Sequence, residues 1–136
     1  MSRLQIIFVD SSVLIAAAIS SRGFARDLIL SAFGGRCVVV LSSLVLEETE
    51  RNLATKFPRA LSAFGLFRGV WEASVVDPDL SMVDRVGEVI ALKDAPIVAA
   101  AIKVGADFLA TYDRKRITSI IRGAAWPFVC SQDACA

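Results

Sequence analysis

Histidine is absent from all 136 residues of this sequence. With it go Ser-His and Cys-His nucleophilic catalysis and the paired-histidine route to RNA cleavage. Any hydrolytic chemistry has to lean on carboxylates. Cysteine is scarce: Cys37, Cys130 and Cys135 make an odd count without metal-ligand spacing. That pattern argues against a disulfide framework and a zinc site, and it fits a reducing compartment. Long apolar runs are missing too, since Val13–Ile19 and Ala95–Ile102 fall short of the roughly 20 residues that cross a bilayer. Arg3 followed by the apolar stretches Ile6–Val9 and Val13–Ile19 mimics a signal peptide, but Asp10 and two serines interrupt it. A cytoplasmic location is expected. Fifteen basic residues against 14 acidic ones leave a net charge of +1, so any binding to nucleic acid must come from local rather than global charge. There is no internal repeat, low-complexity tract or linker.

What the chain does have is apolar residues, 55% of the total, with a mean hydropathy of +0.60. Its length suits a single domain over residues 1–136 enclosing one core. The apolar surplus for that length points to surface buried against a second subunit, and a homodimer is expected. Leu4–Val9 reads as a strand ending at Asp10-Ser11-Ser12, and Val13–Ile19 continues as a helix. That is the opening half of a βαβ unit. Phe24–Phe33 has helical spacing and stops at Gly34-Gly35. Cys37–Leu41 reads as a doubly buried strand, Ser42 or Ser43 caps a helix to about Lys56, and Pro58 opens another. Val70–Val76 is predicted as a third strand, Ser81–Leu92 and Asp94–Val104 as helices, Asp107–Thr111 as a fourth strand, Arg114–Ile121 as a short basic helix and Trp126–Cys130 as a last strand. Alternation of this kind implies a three-layer α/β/α sandwich with a central, mostly parallel sheet. Ligands in such sheets bind beyond the carboxyl ends of the strands, where strand order reverses.

Asp10 follows the first strand, Asp94 starts a helix, and Asp113 lies just past the fourth strand. Each could serve only as a helix cap, and Glu48, beside Glu47 and Glu50, could belong to a solvated helix face. Together they fall at strand ends and helix starts that meet on one rim. Carboxylates converging without histidine or a run of lysines repel one another, and hard divalent cations relieve this. The constellation therefore predicts Mg²⁺ or Mn²⁺. Two such ions can ionise a water, align it and stabilise the leaving oxygen of a phosphodiester, giving a 5′-phosphate and a 3′-hydroxyl. Asn at position 10 is expected to keep shape and capping while removing the charge.

Four fragments, Val9-Asp10-Ser11-Ser12-Val13-Leu14-Ile15, Ser42-Ser43-Leu44-Val45-Leu46-Glu47-Glu48, Lys93-Asp94-Ala95-Pro96-Ile97-Val98-Ala99-Ala100-Ala101 and Ala106-Asp107-Phe108-Leu109-Ala110-Thr111-Tyr112-Asp113-Arg114-Lys115, resemble in order and spacing the PIN (PilT N-terminus) domain, a family that includes VapC-like toxins. The resemblance spans nearly the whole chain. It implies a metal-dependent ribonuclease, possessing an antitoxin partner if it is a toxin. It also implies an acidic site of Asp10, Glu48, Asp94 and Asp113 with Ser12 and Thr111 as polar supports. Ser12 stands where many relatives have asparagine. The second acid is Glu47 or Glu48; Glu47 is spaced to pair with Arg51, which favours Glu48. Arg114, Lys115 and Arg116 follow the last acid and are the first candidates for phosphate contact, with Arg22, Arg26, Lys56 and Arg59 behind them. Phe64, Phe67 and Trp71 suit a core or an interface better than base stacking.

Other readings remain open on the sequence. A PIN fold kept as a catalytically silent binding module has the same residues. A receiver-type phosphoacceptor domain needs paired acids after the first strand and a phosphorylatable Asp after the third, for which only Asp77 and Asp79 are on offer. A haloacid-dehalogenase-like phosphatase needs a second Asp where Ser12 stands.

Overall fold

The computed structural model describes residues 3–71, 74–116 and 129–130, and among these the strands form one parallel sheet with helices flanking it. Strand β1 (Ile6–Val9) pairs on one side with β2 (Val38–Val40) and on the other with β3 (Phe108–Ala110); β4 (Val129–Cys130) pairs with β3. The order is β2-β1-β3-β4. Strand order therefore reverses at β1, and the crevice between the carboxyl ends of β1 and β3 is the place such a sheet offers a ligand.

Helices α1 (Ser11–Ile19), α2 (Phe24–Phe33), α3 (Ser43–Lys56), α4 (Leu61–Trp71), α5 (Leu80–Gly87) and α6 (Ala95–Val104) follow, with a 3₁₀ turn at Pro58–Ala60 between α3 and α4. Local chemistry sets their ends. Asp10 caps α1 by accepting from the backbone N–H of Ser12 and Val13, and Ser42, rather than Ser43, caps α3. Pro96 sits in the first turn of α6, where a missing N–H costs nothing. Gly105 ends that helix at φ 68°, a left-handed conformation that a side chain would oppose. Within α6, Ile97, Val98, Ala99, Ala100 and Ala101 are all fully buried. The core joins them to Phe8, Val9, Leu14, Leu41, Leu53, Phe64 and Leu109. Cys37 is a free, half-buried thiol whose pKa burial raises.

Two expectations need correction here. The strand expected over Val70–Val76 is not formed by its described residues: α4 runs through Val70 to Trp71, and Val75 makes only an isolated bridge with Leu41. Leu61, Phe64, Phe67 and Trp71 repeat at helical spacing, and that period outweighs the strand preference of Val70 and Trp71. Helix α5 also stops at Gly87, followed by turns rather than by helix to Leu92. The basic segment is helical from Arg114 to Arg116. Its expected continuation to Ile121, and the start of the last strand at residues 126–128, lie outside the described residues.

Candidate active site

Asp10 leaves β1 at its carboxyl end and is fully buried. Its Oδ1 accepts from the Ser12 N–H at 3.0 Å, the Ser12 hydroxyl at 2.5 Å and the Val13 N–H at 3.4 Å. Its Oδ2 accepts from the Thr111 hydroxyl and from Arg116 Nη1 at 2.6 Å. Ser12 and Thr111 each have one hydroxyl proton, and each donates it in a hydrogen bond to Asp10. Their oxygens in turn accept from the backbone N–H of Tyr112 and Asp113, at 2.9 and 3.0 Å. The carboxyl ends of β1 and β3 are thus cross-linked through two hydroxyls, and Asp10 is held in one orientation.

Asp94 occupies the cap position of α6 but does not cap it. Its backbone is already helical, at φ −91° and ψ −18°, and its side chain makes no capping bond. Its Oδ1 instead accepts from Arg116 Nε at 2.8 Å. Its Oδ2 is buried and has no hydrogen-bond partner. Asp113, half-buried, accepts from the N–H groups of Lys115 and Arg116 at 3.0 and 3.1 Å and so starts the helical turn that carries them. Glu48 is half-buried on α3 and accepts from Ser11 Oγ at 3.1 Å, whereas Glu47 is exposed.

Arg116 was not anticipated in this position. Rather than facing solvent beside Arg114 and Lys115, which are exposed, its side chain is only 9% exposed and bridges Asp10 and Asp94. Burial opposes its charge, but hydrogen bonding and attraction from Asp94 and Asp10 together outweigh that and leave its pKa raised. The premise that the acids converge without a basic partner is therefore corrected. Among the described residues no three carboxylates are gathered to hold a metal ion, and two of the four share a guanidinium. No periodicity could signal this, because Arg116 lies in a basic triplet that reads as a solvated face.

The donor chemistry nevertheless fits a hard divalent cation, since every candidate ligand is an oxygen. The buried, unpartnered Asp94 Oδ2 marks a position where a further cation or donor is called for, because a buried charge without a partner is costly.

The weaker basic candidates separate as well. Arg26 donates twice to Ala17 O, at 3.1 and 2.6 Å, and lies over the Phe67 ring, which ties α2 to α1 and α4. Lys56 and Arg59 line one groove with Phe57. Arg22 lines another, of about 570 Å³, together with Ser12, Phe24, Phe57 and Tyr112. Phe64 is 2% exposed and belongs to the core, which removes it as a stacking platform. Asp77 accepts from the N–H and hydroxyl of Ser43, and Asp79 accepts from Lys103.

Residues 7–120 match the PIN domain family. No curated protein sequence matches significantly. Among solved structures, PAE2754 from Pyrobaculum aerophilum superposes with a TM-score of 0.66 at 18% identity, over 97% of this chain and 92% of that one. Mycobacterium tuberculosis VapC20, described as a sarcin-ricin loop cleaving toxin, superposes with a TM-score of 0.57 at 21% identity, over 82% of this chain and 93% of that one.

Proposed function

Because this chain belongs to the PIN domain family, whose members are generally nucleases, we propose that it is a ribonuclease that depends on Mg²⁺ or Mn²⁺. The observation that carries this reading is the buried Asp10–Arg116–Asp94 bridge at the carboxyl ends of β1 and β3, with Asp94 Oδ2 left unpartnered. Asp10 and Asp94, with Glu48 and Asp113 at the rim, are the residues to hold the ion. When bound, a divalent ion supplies the charge that ionises an attacking water and stabilises the departing 3′ oxygen of a phosphodiester.

The chain's own contribution is orientation and charge. Ser12 and Thr111 fix the Asp10 carboxylate by donating a hydrogen bond to each of its oxygens. Asp113 orders the turn bearing the exposed Arg114 and Lys115, which contact the phosphates on either side of the scissile bond. The groove lined by Ser12, Tyr112, Phe24 and Arg22 takes an unpaired strand, and Ser12, which bonds Asp10, is where it borders the acids. VapC20 is described as a toxin that cleaves the sarcin-ricin loop, and by analogy this chain acts on RNA; as VapC-like toxins pair with antitoxins, an antitoxin is the protein partner we propose, while the dimer and the cytoplasmic location rest on the composition of the chain.

The test is hydrolysis of single-stranded and structured RNA by the purified protein. Cleavage is expected with Mg²⁺ or Mn²⁺, to stop with EDTA, and to leave 5′-phosphate ends. Asp94→Asn, which removes the charge next to the unpartnered oxygen, is expected to lose cleavage. Cyclic 2′,3′-phosphate products, or full activity of Asp94→Asn, would show that the acids are not the engine.

A further inference from the structure

Arg116 stands where a hard cation has to bind. Its Nη1 lies 2.6 Å from Asp10 Oδ2 and its Nε 2.8 Å from Asp94 Oδ1. Asp10 already accepts from five donors, against about four lone-pair positions on a carboxylate. Neither of its oxygens has room for a metal ion as well. Three of those donors are the Ser12 and Val13 N–H groups at the start of α1 and the Ser12 hydroxyl, and a fourth is the hydroxyl of Thr111, at the end of β3. All four are on short tethers. The fifth, the guanidinium, is at the end of a long flexible stem and can leave while the backbone stays.

Charge points the same way. Two buried aspartates need positive charge whether or not a metal is present, and Arg116 supplies one unit of it. A divalent ion bound to the same oxygens would supply two and would repel a guanidinium left in contact. We propose that Arg116 is a resident counter-cation that a divalent ion must displace from Asp10 and Asp94, so that metal loading and guanidinium release are a single exchange. This inference rests on the metal-dependent reading above. It makes Arg116 a determinant of metal affinity: the metal-free site is neutralised in advance, and every binding event must break the two Arg116 bonds.

Two measurements on the full chain test this. In ¹⁵N NMR of the metal-free protein, the Arg116 Nε–H is protected by its bond to Asp94; with saturating Mg²⁺ it is expected to move toward the position of a free guanidinium and to exchange with water. By calorimetry, Arg116→Gln is expected to bind Mn²⁺ about tenfold more tightly than the parent, because nothing has to be displaced. An Nε–H signal unmoved at saturating Mg²⁺, or a variant with equal or weaker Mn²⁺ binding, would overturn the proposal and leave Arg116 as a residue that holds the two acids in place. Should Arg116→Gln fail to fold, the NMR measurement on the parent decides alone. Failure of both proteins to bind either ion would overturn the metal-dependent reading too, whereas binding with the guanidinium unmoved overturns only the exchange.

Discussion

Asp10 and Asp94 are both fully buried and share one guanidinium, yet asparagine has different consequences at the two positions. At Asp10 both oxygens face donors only. Whichever way the new amide is turned, its NH₂ points at an N–H or O–H. With the amide oxygen in the place of Oδ1 the cap is kept, but the NH₂ then meets Arg116 and the Thr111 hydroxyl, so Asp10→Asn is expected to cost about 3 kcal/mol, as when one side of a buried charged pair is removed. At Asp94 the amide oxygen can keep the bond from Arg116 Nε while the NH₂ takes the place of the unpartnered Oδ2, so the cost is expected to be about 1 kcal/mol or less. Thermal unfolding of both variants in EDTA checks the ranking. Equal losses would contradict the hydrogen-bond inventory, and the smaller loss makes Asp94→Asn the cleaner probe of catalysis.

Among the elements, β1 and the start of β3 are clasped by Asp107. Its carboxylate accepts from both terminal nitrogens of Arg3, at 2.8 and 2.6 Å, and from the Ile6 N–H at 2.8 Å. The bonds from Arg3, then that from Ile6, push its pKa down to about 2. Because the folded-state value is depressed, this clasp contributes stability above the unfolded pKa of about 4, and the contribution is lost as pH falls through about 2. The stability difference between the parent and Asp107→Asn is thus expected to be constant from neutral pH down to about 5, to shrink below that, and to vanish at the acid end. Denaturant titrations across this range would show it, and a gap that persists in strong acid would mean that Asp107 acts by packing instead of charge.

At the scale of the whole molecule, Leu66, Leu80 and Leu92 are each about four-fifths exposed and Val89 is over half exposed, which is the apolar surplus of the composition made visible. A homodimer with a total interface of about 1,200 Å² or more is the expected consequence. Light scattering at micromolar concentration checks it; a monomer there would show that these side chains serve some other contact. The layered parallel sheet and the positions of Asp10, Asp94 and Thr111 at strand and helix ends were legible in the linear sequence, because hydrophobic period, caps and turn residues are local properties. Helix α4 was misjudged over Val70 and Trp71 because a stretch that starts with Val70-Trp71 and ends with Val75-Val76 reads as a strand when the helical period preceding it is ignored. The sequence could only prefer Glu48 to Glu47; the packing of α3 against α1 brings Ser11 to Glu48 and leaves Glu47 exposed. Arg116 was beyond any local rule: its partners are 106 and 22 residues away, and only the folding of β1, β3 and α6 onto one rim turns an arginine from a basic triplet into the counter-charge of two buried aspartates.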